Sequence, residues 1–339
     1  SFNMQKIVSN TFNDFSALSK NSSIDLSKVQ ALFFPLMILL IGISNIIVIY
    51  VGGNQYIDGE IEIGVIAEFI IYITMLTWPV AVVGWVTSII QQAEASQKRI
   101  NSFLKTKSSI SNQGEILNIK KGNINFKNVS FKYPETNFYA LKGIDFEISS
   151  GKTLGIVGKT GAGKTTILEL ITRSYDVTSG EISMDGNLLR EYDLSSLRSQ
   201  ISYVPQNPFL FSDTIIENIK FGNYAANKDE VIKVSKTSSI HSDISSFNDK
   251  YETLLGERGV NLSGGQIQRL TIARALLKKS KLLILDDCLS SVDAKTERDI
   301  LSKIKRTKKN ETVIIVSHKI SSVMHADLII VLDNGVVIE

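Results

Sequence analysis

The segment Gly158-Lys159-Thr160-Gly161-Ala162-Gly163-Lys164-Thr165 has the spacing G-x-x-x-x-G-K-[ST], which constrains the fold more than any other stretch. Such a turn works between a strand and a helix, where backbone N–H groups and the helix N-terminus converge on an anion. The flanks agree. Thr153 to Val157 reads as a short buried strand, and Thr166 to Ile171 as the beginning of a helix. Without side chains, Gly161 and Gly163 let the backbone approach a phosphate closely. Lys164 adds charge toward β and γ phosphates, and the Thr165 hydroxyl can ligate Mg²⁺. A chance glycine-rich turn is the bland alternative, and the later motifs weigh against it.

Downstream, Lys281-Leu282-Leu283-Ile284-Leu285-Asp286-Asp287 is an apolar run ending in two carboxylates, as a buried parallel strand delivering acids at its C-terminal end should be. Asp286 is placed to hold Mg²⁺ directly or through water. Ile124 to Phe131, Ala140 to Ile148 and Glu181 to Met184 also read as strands.

The N-terminal part differs. Leu32 to Val51 and Phe69 to Ile90 carry no charged side chain, and each is long enough to cross a hydrocarbon core of about 30 Å as a helix. The alternative is a pair of helices buried in a soluble protein. Spans at about 32–51 and 63–90 are expected, with Phe12, Phe15, Leu18, Leu26 and Val29 spaced for a helix within residues 1–30. The connector from Gly52 to Glu62 holds Asp58, Glu60 and Glu62 but no Lys or Arg. Lys20 and Lys28 precede the first span, and Lys98, Arg99, Lys105 and Lys107 follow the second. That bias puts the connector outside and both flanks in the cytoplasm. Pro79 should bend the second helix. Glu68 reads as an interfacial carboxylate, and Trp78 and Trp85 as packing against neighbouring helices. Two spans cannot enclose a polar path through lipid, so further helices or partner chains must complete any pore.

The expected division is a partial membrane segment at 1–101, a polar linker at 102–121, with Ser102 to Gly114 its clearest part, and a nucleotide-binding domain at 122–339. The chain starts at Ser1 and ends at Glu339 on what looks like an unfinished strand, so it reads as a fragment. With 37 basic against 34 acidic residues and a net charge of +3, a dedicated nucleic-acid binder is disfavoured. The single cysteine, Cys288, excludes a disulfide framework within these residues and reads as strand packing.

Between the two nucleotide motifs lies Asn261-Leu262-Ser263-Gly264-Gly265-Gln266, followed by Ile267 to Ala275, and here the chain resembles the ATP-binding cassette (ABC) transporter family, whose signature is L-S-G-G-Q. Physically, Ser263 offers a hydroxyl and the glycines expose N–H groups at a helix N-terminus, a second anion site on one chain. The resemblance extends over essentially all 339 residues. It implies an α/β cassette with a mostly parallel sheet, an antiparallel β subdomain and a helical subdomain around residues 210–275, fused to an all-α membrane segment. It also implies that two cassettes sandwich two ATP molecules, each bound by one chain's Gly158 to Thr166 loop and the other's Ser263, Gly264, Gly265 and Gln266.

By the same resemblance, Tyr133 stacks on adenine, Gln206 contacts Mg²⁺ beside Thr165 and Asp286, Asp293 crosses the dimer interface, and His318 is the switch near the γ phosphate. His241 and His325 fall on no motif. The segment Leu255-Gly256-Glu257-Arg258-Gly259 is similar to one typical of exporters, and the two spans look like the fifth and sixth helices of an exporter half. The implied activity is ATP hydrolysis coupled to export by an integral membrane protein whose cassette is cytoplasmic. An ATP-gated channel or a soluble ABC ATPase are the rivals, and drug, lipid and peptide all remain open as substrate.

One position departs from the family. Asp287 stands where most members carry a glutamate that polarises the attacking water. It is one methylene, about 1.5 Å, shorter, while a general base must come within roughly 3 Å of its water. Turnover with Lys164, Asp287 and His318 as catalytic residues should therefore be slow. The Asp-Asp-Cys-x-Ser form resembles one half of a heterodimer with a degenerate site, which favours a second, different half-transporter as partner over a homodimer; the retained His318 speaks the other way.

Overall fold

An uncharged run is broken as a helix only by glycine or proline, and here neither breaks it. In the computed structural model, which describes residues 5–134 and 136–339, α1 spans Gln5–Ile57 and α2 Ile63–Leu104. The helix expected over residues 1–4, and the side chains of Val29 and Arg258, lie outside the described residues. Both prolines, Pro35 and Pro79, sit inside continuous helices. The expected connector shortens to 58–62, because Gly52 and Gly53 stay helical. Packing explains Gly52: it is buried, and a Cβ there would lie 2.9 Å from Ile66 Cγ1. Gly84 makes the matching approach, 3.2 Å from Phe33 Cζ.

At 1.5 Å per residue α1 is about 80 Å and α2 about 60 Å long, well beyond one hydrocarbon thickness. Both are long and apolar enough to cross a membrane. Leu36, Ile38, Ile47, Met75 and Val83 all stand on the surface of this chain, and α2 has no buried residue among those described, unlike a pair buried in its core. Trp78 and Trp85, expected to pack against helices, are exposed in this chain. Glu68 accepts a hydrogen bond from the Tyr72 hydroxyl one turn on.

The chain divides into two compact units, Ser1–Lys107 and Ser108–Glu339. In the second, β1 (Ile124–Lys132), β2 (Tyr139–Ile148), β3 (Thr153–Gly158), α3 (Lys164–Ile171), β4 (Ser179–Met184) and β5 (Asn187–Leu188) come first. After them run α4 (Leu194–Ser199), β6 (Ile201–Val204), α5 (Ile215–Lys220), α6 (Lys228–Thr237), α7 (His241–Ser246) and α8 (Gly264–Leu277). The series closes with β7 (Leu282–Asp286), α9 (Ala294–Thr307), β8 (Thr312–Ser317), α10 (Ile320–Val323), β9 (Leu328–Asp333) and β10 (Val336–Val337).

A six-stranded sheet has the order β10-β9-β3-β8-β7-β6 and is parallel except for β10. Strands β7 and β8 are buried at every position, which is why their sequences are continuous apolar runs. A four-stranded antiparallel sheet, β2-β1-β4-β5, shares a core with the first through Phe126, Ile144, Leu154 and Ile284. Helices α5 to α8 close around their own core of Leu210, Ile219, Val231, Ile244 and Leu270. The strand that looked unfinished is one arm of a hairpin. Asn334 and Gly335 turn with φ of 48° and 81°, and pairing continues as Val331 N–H donates to Glu339 O.

The expected linker at 102–121 is only partly one. Its first residues finish α2, and residues 115–123 are tied to the second unit. Ile119 is buried, Glu115 and Ile116 N–H donate to Glu191 O, and the Asp185 carboxylate accepts the N–H groups of Lys120, Lys121, Gly122 and Asn123 at 2.8–2.9 Å.

Candidate functional site

Strands β3, β6, β7 and β8 are parallel, so the residues leaving their C-terminal ends share one edge of the sheet. The phosphate loop follows β3, Gln206 follows β6, Asp286 ends β7 with Asp287 next, and His318 follows β8. In the loop, glycine is required for two different reasons. Gly163 has φ 102° and its Cβ would meet Ala140 O at 2.6 Å, whereas Gly161 at φ 82° faces open space and only its conformation demands glycine.

Lys164 opens α3 with its side chain folded into the loop, and its Nζ donates to Gly158 O at 2.7 Å and Lys159 O at 2.9 Å. Burial lowers its pKa, opposed by the nearby carboxylates of Asp287 and Asp286. Asp286 is buried, and that burial raises its carboxyl despite hydrogen bonds from Tyr203 and Thr165. The Tyr203 hydroxyl donates to Asp286 Oδ2 at 2.9 Å. Asp287 has φ 42°, and its Oδ2 accepts from Gln206 Nε2 at 3.4 Å. Lys164, Thr165, Asp286, Asp287 and Gln206 thus form one cluster. His318 is exposed beside the end of β8.

Tyr133, just after β1, reaches the same helix. Its hydroxyl lies 2.9 Å from Thr166 Oγ1 and donates to Glu169 Oε2 at 2.8 Å, while Phe131 and Tyr175 meet its ring edgewise. Burial pushes its phenol up to about 12, so it stays a donor at neutral pH.

The signature is built differently. Ser263 caps α8: its Oγ accepts from Gln266 N–H at 3.3 Å while Gln266 Oε1 accepts from Ser263 N–H at 2.9 Å. The Gln266 amide then donates to Asp243 Oδ1 at 3.0 Å, and Arg269 pairs with the same carboxylate at 2.9 Å, so Gln266 holds α7 to α8. A Cβ on Gly265 would lie 2.9 Å from Ser291 O. Buried Gln268 accepts from Ser291 N–H at 3.0 Å, which joins the signature helix to the segment leading into Asp293. Asp293 caps α9 by accepting from Lys295 and Thr296 N–H, and those bonds hold its carboxyl below the usual range. No hydrogen bond joins the signature to the phosphate loop among the described residues.

Tyr203, Glu169, Asp243 and Gln268 were not singled out from the sequence. Each acts on a motif residue through a contact that no local spacing encodes. Cys288 is buried with its thiol pushed up by that burial, and His241 Nδ1 meets the Tyr251 hydroxyl at 2.8 Å in a packing role.

The donor set suits ATP·Mg²⁺. The glycine turn is a cradle that side chains would fill, and the metal donors are oxygens from a hydroxyl, a carboxylate and an amide, too few to hold an ion without phosphates. No cluster of three or more His, Cys, Asp or Glu is placed to hold a metal alone among the described residues.

Residues 141–290 match a family described as ABC transporter. The chain is 40% identical over 343 residues to the multidrug resistance-like ATP-binding protein MdlA of Buchnera aphidicola subsp. Baizongia pistaciae (strain Bp), covering 98% of this chain and 58% of that protein. It is 38% identical to the probable multidrug resistance ABC transporter ATP-binding/permease protein YheI of Bacillus subtilis (strain 168), covering 97% and 56%. A solved structure of a bacterial Atm1-family ABC exporter with ATP bound superposes with a TM-score of 0.88 at 29% identity, covering 100% of this chain and 60% of that one. The chain therefore spans a little over half the length of the relatives it matches.

Proposed function

We propose that this chain, whose residues 141–290 match the ABC transporter family, is the ATP-hydrolysing part of an exporter half that works as a dimer. The observation that carries this reading is the presence of two incomplete nucleotide sites on one chain. Among the described residues the loop cluster around Lys164 has no hydrogen bond to the signature, whose Ser263 instead caps α8. Each is completed by the other in a second chain.

In this reading α1 and α2 lie in a bilayer with residues 58–62 outside, and the Ser108–Glu339 unit is cytoplasmic. The Gly158 to Thr166 backbone and Lys164 bind the phosphates, the Tyr133 ring meets the adenine, and Thr165, Asp286 and Gln206 hold Mg²⁺. When bound, the metal supplies positive charge to the phosphoryl group being transferred. Lys164 exchanges its bonds to Gly158 and Lys159 for phosphate oxygens. Asp287 takes the proton of the attacking water, slowly because of its reach, and His318 holds the γ side. Ser263, Gly264, Gly265 and Asp293 face the partner's nucleotide, with Gln266 shaping that turn. Closure and reopening of the two cassettes bias the attached helices between two states.

The partner we favour is a different half-transporter whose own base is a glutamate, served by this chain's intact signature. The test is association of the complete protein with its partner in detergent, with turnover blocked by Asp287→Asn and by the matching substitution in the partner. Closed pairs of cassettes should accumulate with ATP·Mg²⁺ and disperse without it. Cassettes that remain apart in both conditions overturn the reading.

A further inference from the structure

Glu297 is a carboxylate 3% exposed that the scheme above does not use. Burying such a charge is costly unless partners compensate it, and its partners lie on one short stretch, from the end of β8 into α10. Its Oε1 accepts from the Ser322 hydroxyl, and its Oε2 lies 3.5 Å from Lys319 Nζ. The Ser317 hydroxyl donates to Ser322 Oγ at 3.1 Å and accepts from Lys319 N–H at 3.0 Å. Ser322 N–H closes the turn onto Lys319 O at 3.1 Å. Both serines are 6% exposed, so water does not compete for these bonds.

His318 sits between Ser317 and Lys319, and both neighbours lead to Glu297. A histidine at the end of a strand takes its direction from the backbone on either side. Glu297 in turn stands one turn into α9, where its N–H donates to the carbonyl of the capping Asp293 at 2.9 Å. We propose that Glu297 is a positioning residue for His318, holding the switch loop through Ser322, Ser317 and Lys319 so that the imidazole meets the γ phosphate. The inference rests on the role given to His318 above.

The experiment is steady-state ATP turnover by the complete transporter in proteoliposomes, with the partner's own catalytic base substituted so that hydrolysis is read at this chain's loop, in variants E297A, E297Q, S322A, H318A and H318A/E297A. A misplaced catalytic group costs on the order of 10- to 100-fold in rate, so E297A and S322A should lower kcat by about that factor while KM changes less than about threefold. E297Q keeps the acceptor for Ser322 and should recover most of the rate. The double variant should be no slower than H318A, because a histidine that is absent cannot be mispositioned. Multiplied losses in the double variant, or a KM that rises in step with a falling kcat, overturn the inference and mark Glu297 as packing. If E297A fails to fold, S322A removes one hydroxyl and carries the same test, with wild-type turnover as the overturning result. Normal turnover in H318A overturns the role of His318 itself and this inference with it, whereas multiplied losses leave that role standing.

Discussion

Asp287 occupies a backbone region, φ 42°, that few side chains adopt, and its carboxylate is drawn toward Gln206 rather than held in the strand's own pattern. Restoring the missing methylene should therefore act through reach more than through folding. Asp287→Glu is expected to raise turnover at this chain's site by roughly tenfold or more, and Asp287→Asn to remove it, both read by phosphate release from a reconstituted pair whose partner site is blocked. An unchanged rate in Asp287→Glu would place the slow step elsewhere. Lys164→Ala should abolish nucleotide binding at this chain's loop, measured by equilibrium binding of a fluorescent ATP analogue. Lys164 could be singled out because it belongs to a short spacing that phosphate chemistry requires, and Asp287 because it ends an apolar run and stands where the resembling family carries a glutamate. Tyr203 could not: its contact with Asp286 spans two strands, and only the parallel pairing of β6 with β7 brings the two together.

At the scale of elements, the strands and the helix after the phosphate loop follow from apolar pattern, and so do α1 and α2. Their ends follow from contacts that pattern does not contain. Position 52 is glycine because Ile66 lies against it, and Lys120 and Lys121 leave the expected linker because Asp185, more than sixty positions on, takes their N–H groups. An acidic residue in a Gly-flanked turn looks solvated from sequence alone. Asp185→Ala leaves four amide donors without their charged acceptor, and hydrogen bonds to charged groups are worth about 1.5–3 kcal/mol each without simple additivity. A loss of about 2–4 kcal/mol is expected, read as a lower urea midpoint for the nucleotide-binding transition. Ser263→Ala removes the α8 cap and should cost about 1 kcal/mol in the same measurement.

For the whole molecule, two units, of which only Ser108–Glu339 has a hydrophobic core among the described residues, imply that unfolding is not one transition. Heating the chain in detergent should give two, and ATP·Mg²⁺ should raise only that of Ser108–Glu339, by about 2.7 kcal/mol of stabilisation at a hundredfold excess over Kd. A single transition, or a shift in both, would show that the units are thermodynamically one. What covers Trp78, Met75 and the rest of the apolar surface of α2 was not legible in the sequence, because no described residue of this chain buries it. The sealed thiol of Cys288 has a practical corollary. Folded, these 339 residues should be silent toward maleimides and should react only on denaturation, so a probe attached to one introduced cysteine would report cassette motion against a dark background, with no native residue removed first.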